Sequence, residues 1–185
     1  MPKTTYITPI GVAKYPHLIE PDTVGKYANG KYTTKLIMSP EDAKPLMALL
    51  KAAQAKHDFG KDAKLPVTDE TIKDGDNKKK TGNLQFSFSS KFPPTVVSPD
   101  NKPIKVGKLN DSFTIGGGSK IRIAGELYAY DKGISLQMHQ VQIIDLVAGR
   151  ASMFDAVDGS FDQSEFEDTE GSGAFTEGAD SGLGL

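Results

Sequence analysis

The sequence contains no cysteine and no tryptophan. Without thiols there are no disulfides, no thiolate metal site and no cysteine nucleophile, so the fold rests on packing alone and a reducing compartment is permitted. No apolar run approaches the roughly 18 residues needed to cross a bilayer. The first residues, Met1-Pro2-Lys3-Thr4-Thr5, lead into no hydrophobic signal core. This reads as a soluble intracellular protein without a membrane partner. Histidine is scarce: His17, His57 and His139 stand far apart, and no zinc-type spacing exists. No serine or acidic pair stands in a recognisable catalytic motif, so no enzyme, metal or cofactor is expected.

The most telling absence is positional. Residues 151–185 hold no Lys or Arg and nine Asp or Glu, whereas all 22 Lys and Arg lie in residues 1–150 beside 15 acidic residues. The net charge of −2 therefore hides a body of +7 joined to a stretch of −9. A positive body attracts polyanions through its summed field, and a flexible anionic tail can occupy the same surface when no polyanion is present. The first expectation is a nucleic-acid-binding module with a built-in competitor.

Two parts follow from this asymmetry. Residues 1–150 suffice for a single domain, which at that size buries roughly 68 to 70% of its unfolded surface. Residues 151–185, rich in Gly, Ser, Asp and Glu, are too polar and self-repelling to offset chain entropy and are expected to be disordered when free. Phe154, Phe161, Phe166 and Phe175, with the terminal Leu185, are apolar points set among the carboxylates of that stretch. They are candidates for docking into notches on a partner while the carboxylates steer the approach; the plain alternative is a solubilising tail. Asp155, Asp158 and Asp162 fail the ligand spacing of a calcium loop.

Within the body the dominant period is two. Tyr32, Thr34, Leu36 and Met38 share one strand face, with Lys31, Thr33 and Lys35 on the other. A helix capped by Ser39 or Asp42 carries Leu46, Met47, Leu50 and Ala53 to about His57, with Pro40 and Pro45 near its beginning. Residues 60–82 hold Lys61, Lys64, Lys73 and the run Lys78-Lys79-Lys80 with almost no apolar period, and read as a loop. A second strand places Leu84, Phe86, Phe88 and Phe92 together, as core rather than as stacking platforms. In a third strand Ile121, Ile123 and Leu127 point one way, while Lys120, Arg122, Glu126, Tyr128 and Tyr130 point the other. Cations and phenol rings on one outer face suit an unpaired strand, because cations hold phosphates while rings stack bases at about 1 to 3 kcal/mol each, whichever base it is. The last strand, Ile134 to Val147, shifts phase near Gln140 as at a bulge. Short strands with one helix suggest a small closed or partly open barrel. Gly116-Gly117-Gly118-Ser119-Lys120 is no phosphate loop, since Ser precedes Lys and a strand follows.

The run Ile115-Gly-Gly-Gly-Ser-Lys120-Ile-Arg122 continuing to Tyr128-Ala-Tyr130 is joined by Gly11-Val-Ala-Lys-Tyr15 leading to Glu20-Pro21-Asp22, by Gly30-Lys-Tyr-Thr-Thr-Lys35-Leu and by the acidic tail. Together, and in order over nearly the whole chain, these resemble the replication single-stranded-DNA-binding proteins of short-tailed bacteriophages. The resemblance implies a mainly β OB-fold, a five-stranded Greek-key barrel with one helix inserted after the second strand and a disordered acidic C-terminal tail. It implies sequence-independent binding and protection of single-stranded DNA during phage replication, recombination and repair, in the cytoplasm of the infected bacterial host. The tail would recruit the phage DNA polymerase and helicase-primase and shield the DNA groove. By position, Lys3 matches a basic N-terminal residue tied to DNA binding or annealing, Lys120 and Arg122 match basic residues on the strand after the glycines, and Tyr130 matches a groove tyrosine. Ala124 stands where relatives can carry Lys, no tryptophan neighbours Tyr130, and the chain closes on Leu183-Gly184-Leu185 rather than on an aromatic residue.

The combined expectation is a phosphate path along Lys3, Lys14, Lys31, Lys35, Lys91, Lys120 and Arg122, with bases stacked on Tyr15, Tyr128 or Tyr130. A homodimer is left open, as are an acidic-tailed interaction adaptor and an OB-fold RNA chaperone.

Overall fold

Strand-period alternation governs most of the folded chain, and its apolar phase closes a barrel. The computed structural model describes residues 3–57, 59, 63–104 and 115–147, which lie within one unit, Met1–Ala151. Its elements run β1 (Thr4–Ile7), β2 (Gly11–His17), β3 (Tyr32–Met38), α1 (Lys44–Lys56), β4 (Val67–Asp74), β5 (Asn77–Ser90), β6 (Thr95–Val97), β7 (Lys120–Tyr130) and β8 (Gly133–Asp145). The expected tail, with Phe154, Phe161, Phe166, Phe175 and Leu185, lies outside the described residues.

Five of the strands form the ring. β7 pairs with β2, β2 with β3 and β3 with β5, all antiparallel. β5 then runs parallel to β8, and β8 closes antiparallel onto β7. This order, with its single parallel pair, is that of an OB-fold barrel. Three further strands decorate it: β1 on β7, β4 on β5 and β6 on β8. Inside the ring lie Ala13, Leu36, Phe86, Phe88, Ile121, Ile123, Leu136, Met138 and Val141, all buried. Their alternation with polar neighbours is what fixes the register, since a slip of one residue would expose the whole set.

Helix α1 follows β3, so it is inserted after the ring's second strand, and it buries Leu46, Leu50 and Ala53 at helical spacing. Neither Ser39 nor Asp42 caps it. Ser39 Oγ donates to Asp42 Oδ2 (2.8 Å) and accepts from the Asp42 N–H (3.1 Å), which builds the preceding turn and leaves Ala43 as the cap residue.

Two other expectations change. Most of the segment read as a loop, residues 60–82, is a β-ribbon: Thr71 pairs with Lys80, Ile72 with Lys79, Lys73 with Lys78 and Asp74 with Asn77. Its turn places Gly75 at φ 62, in the first central position of a two-residue hairpin loop that favours such a backbone. Phe92, expected in line with Phe86 and Phe88, lies beyond the end of β5 and is 76% exposed. The phase change near Gln140 is real: Ala124 pairs with Gln140 and Gly125 with Met138, so His139 is the extra residue of a bulge.

The glycine run before β7 closes the seam between β2 and the end of β8. Gly118 N donates to Ala13 O (2.8 Å), Gly116 N to Val147 O (2.7 Å), and the buried Ser119 hydroxyl donates to Gly116 O (2.8 Å) and accepts from Val147 N (3.0 Å).

Candidate nucleic-acid interface

Residues 18–31, between β2 and β3, form a loop with a closed neck: Asp22 N donates to Lys31 O and Gly30 N to Asp22 O, both at 2.8 Å. The loop stands over one side of the barrel and, with β3, β5 and the β7–β8 turn, walls a cleft of about 710 Å³. Tyr15, Lys35 and Tyr130 line this cleft together with Lys26, Tyr27, Lys64, Ser87 and Ser135. In OB-folds this is the face, strands two and three of the ring with the loops at either end, that receives oligonucleotides.

Tyr15 is aimed outward by a strained backbone. The β2–β3 register shifts between Lys14 and His17, and Tyr15 in that irregularity adopts φ 49, a left-handed conformation rare for a bulky residue. Such strain costs of order 1 to 3 kcal/mol and persists where surrounding structure enforces it. The ring is 65% exposed, with Lys14 Nζ 5.7 Å and Lys35 Nζ 5.9 Å from its centre. On the loop, Lys26 Nζ stands 5.7 Å from the centre of the Tyr27 ring, which is 84% exposed. Cations beside open phenol faces offer an unpaired strand both phosphate and base contacts. Lys26, Lys35 and Lys64 make no ion pair among the described residues.

Lys14 borders the cleft and reaches away from it. Its Nζ donates to Thr71 O (3.4 Å) and lies 3.8 Å from Glu70 Oε1, so β2 is tied to the base of the ribbon. Glu70 also accepts from the Thr81 hydroxyl (2.7 Å) and the Asn83 amide (3.2 Å). The Thr81 bond leads in holding its carboxyl below the usual glutamate range.

The remaining sequence candidates lie elsewhere. Lys3 and Tyr128 line a second groove, about 620 Å³, between β7 and α1, where Lys3 Nζ is 3.1 Å from Glu126 Oε2 and His139 Nε2 is 3.8 Å from the same oxygen. Arg122 is half-buried and its Nε donates to Thr8 O (3.3 Å), which joins β7 to the segment after β1. Lys120 and Lys91 are exposed, and Lys31 holds the loop neck through its backbone. Neither groove is lined by Lys31, Lys91, Lys120 or Arg122. The outer face of β7 is therefore not one platform: Tyr130 faces the first cleft and Tyr128 the second. Lys26, Tyr27 and Lys64 were not singled out for DNA contact from sequence, although adjacent Lys and Tyr between glycines in the run Gly25-Lys-Tyr-Ala-Asn-Gly30 were a usable signal.

Solved structures share this fold. The single-stranded-DNA-binding protein gp2.5 of bacteriophage T7 matches with TM-score 0.59 at 18% identity, over 85% of this chain and 100% of that one. The single-stranded-DNA-binding protein of bacteriophage Enc34, in complex with single-stranded DNA, matches with TM-score 0.59 at 16% identity, over 80% and 89%. Its C-terminal truncation matches with TM-score 0.59 at 15% identity, over 79% and 88%. No curated protein sequence matches the chain. The family described as the ssDNA-binding protein of Enterobacter phage Enc34 matches residues 7–169. With that match spanning most of its length, the chain belongs to this family of phage single-stranded-DNA-binding proteins, a class of binding proteins and not of enzymes.

Proposed function

We propose that the cleft between the β2–β3 loop and the β7–β8 turn is where this protein holds single-stranded DNA, without regard to sequence. The observation that carries this reading is the convergence of Tyr15, Lys35 and Tyr130 with Lys26 and Tyr27 on one open cleft. Stacking on phenol rings accepts any base, and ammonium groups follow any phosphate chain, so neither contact reads sequence. Duplex DNA offers the phosphates but keeps its base faces stacked within.

If about four phosphates are neutralised at roughly −0.7 per contact, affinity falls some tens-fold between ~50 and ~200 mM salt. A fluorescence titration with single-stranded DNA, duplex DNA and RNA at two salt concentrations tests this. Preference for single-stranded DNA with that salt response is expected; duplex binding of equal strength overturns the reading. In the phage-infected cell such a protein would cover and protect single strands during replication and recombination. The acidic stretch 151–185 would compete for the positive body and recruit replication enzymes, the DNA polymerase and helicase-primase, through its carboxylates and phenylalanines.

A further inference from the structure

The lysine-rich run Lys78-Lys79-Lys80 is not a solvated loop but one strand of a projecting ribbon, and pairing sorts its charges by face. Residues directly opposite in a ladder share a face, so Lys73 with Lys78 and Thr71 with Lys80 lie on one side, and Ile72 with Lys79 and Asp74 with Asn77 on the other. Lys80 is neutralised by Asp69 at 2.7 Å. Lys73 and Lys78 form no ion pair among the described residues, yet they stand directly opposite each other. Like charges in that position destabilise a ladder, and an anion lying across both removes the penalty.

The ribbon is also continuous with the cleft. Lys14, whose ammonium stands 5.7 Å from the Tyr15 ring, donates to the carbonyl of Thr71, the first residue of the outer ribbon. Downstream, the ribbon's own strand β5 supplies Ser87 and Ser89 to the cleft wall. A strand leaving the cleft past Tyr15 meets Lys14 at the ribbon base, where Lys14 reaches Glu70 on the Ile72/Lys79 side, and farther out, on the other side, the Lys73/Lys78 face. We propose that this face is a second phosphate-binding segment that takes up the single strand as it leaves the cleft, so that the length of DNA engaged exceeds what the cleft holds. This rests on the cleft being the primary DNA site.

The test uses the full chain and two oligothymidylates, one of about 5 nucleotides that only the cleft accommodates and one of about 16, the ends of the usual range for one OB-fold. Lys73→Ala/Lys78→Ala should reduce the salt slope for the long oligomer by about 1.4, two contacts at roughly 0.7 each, and leave the short oligomer unchanged. Lys79→Ala, on the opposite face, should change neither. An unchanged long oligomer, an equal loss for the short one, or an equal effect of Lys79→Ala overturns the proposal. Tyr130→Ala in parallel should weaken both oligomers; if it does so while the double variant is inert, the ribbon alone is wrong. If Tyr130→Ala spares the short oligomer, the cleft is not the site and the proposal falls with it.

Discussion

The ammonium of Lys35 on β3 lies 5.9 Å from the centre of the Tyr15 ring on β2, and Tyr15 is held at φ 49 to meet it. A tyrosine in a left-handed conformation is a local cost to the fold. What the cost achieves is an open aromatic face beside two lysines at the edge of the proposed DNA cleft.

That pairing gives opposite signs for stability and binding at one residue. Tyr15→Gly relieves the backbone strain while removing the ring. Unfolding stability should stay level or rise by about 1 kcal/mol, whereas single-strand affinity should fall by about 1 to 3 kcal/mol, the value of one stacked base. Denaturant titration beside DNA titration checks both. A variant that loses both together would make Tyr15 a structural residue only.

Salt separates rings from cations. Tyr130→Ala removes stacking and should leave the salt slope unchanged, while Lys35→Ala should reduce it by about 0.7. Fluorescence titrations at four or more salt concentrations resolve the two. Crossed results would mean that the phosphates run along the tyrosines' side of the cleft.

The sequence revealed faces better than places. Alternation assigned Phe86, Phe88, Ile121 and Ile123 to the interior, and all are buried. The same rule grouped Tyr128 with Tyr130, but a period of two reports which face a residue takes, not where on a twisted surface it lands. The two tyrosines, only two residues apart on β7, nonetheless line different grooves. The outer ribbon was illegible for the opposite reason: both of its faces are exposed, so burial imposes no apolar alternation on it. Its signal was the Gly75-Asp76 turn, which marks a hairpin without marking a core. Tyr27 sits in a loop with no period at all, and only its neighbouring lysine and bounding glycines distinguish it.

Gly125 tests the barrel apart from the cleft. A Cβ there would fall onto the Gln137 carbonyl oxygen and within 2.8 Å of the Tyr6 hydroxyl, which itself donates to that carbonyl at 2.8 Å. Gly125→Ala should therefore destabilise the fold by about 1 to 3 kcal/mol, as overpacking does. The fraction that remains folded should bind DNA normally, which stability-corrected titration reads out.

At the ribbon base Glu70 predicts a pH response. Its carboxyl is held below the usual range, first by the Thr81 hydroxyl and then by Asn83 and Lys14, so the folded state favours the ionised form. A carboxylate depressed on folding adds stability that is present above its unfolded pKa and is lost as pH falls through the folded one. Protection factors at the ribbon base, which remove the intrinsic slowing of exchange at lower pH, should thus fall on acidification in the parent protein and change less in Glu70→Gln. Identical pH profiles would show that this carboxylate does not secure the ribbon.

The last prediction concerns the charge asymmetry with which the sequence is written. Nine acids tethered to a +7 body present themselves at high effective concentration, and on the proposed reading both they and DNA phosphates would seek the same lysines. Removing residues 151–185 should strengthen single-strand binding, most at low salt, where the competing attraction is least screened. The gain should shrink as salt rises and should shrink also in Lys26→Ala/Lys35→Ala, which takes away part of what the acids compete for. A gain independent of salt would point to steric exclusion, and no gain at all would leave the acidic stretch with the proposed partner recruitment alone.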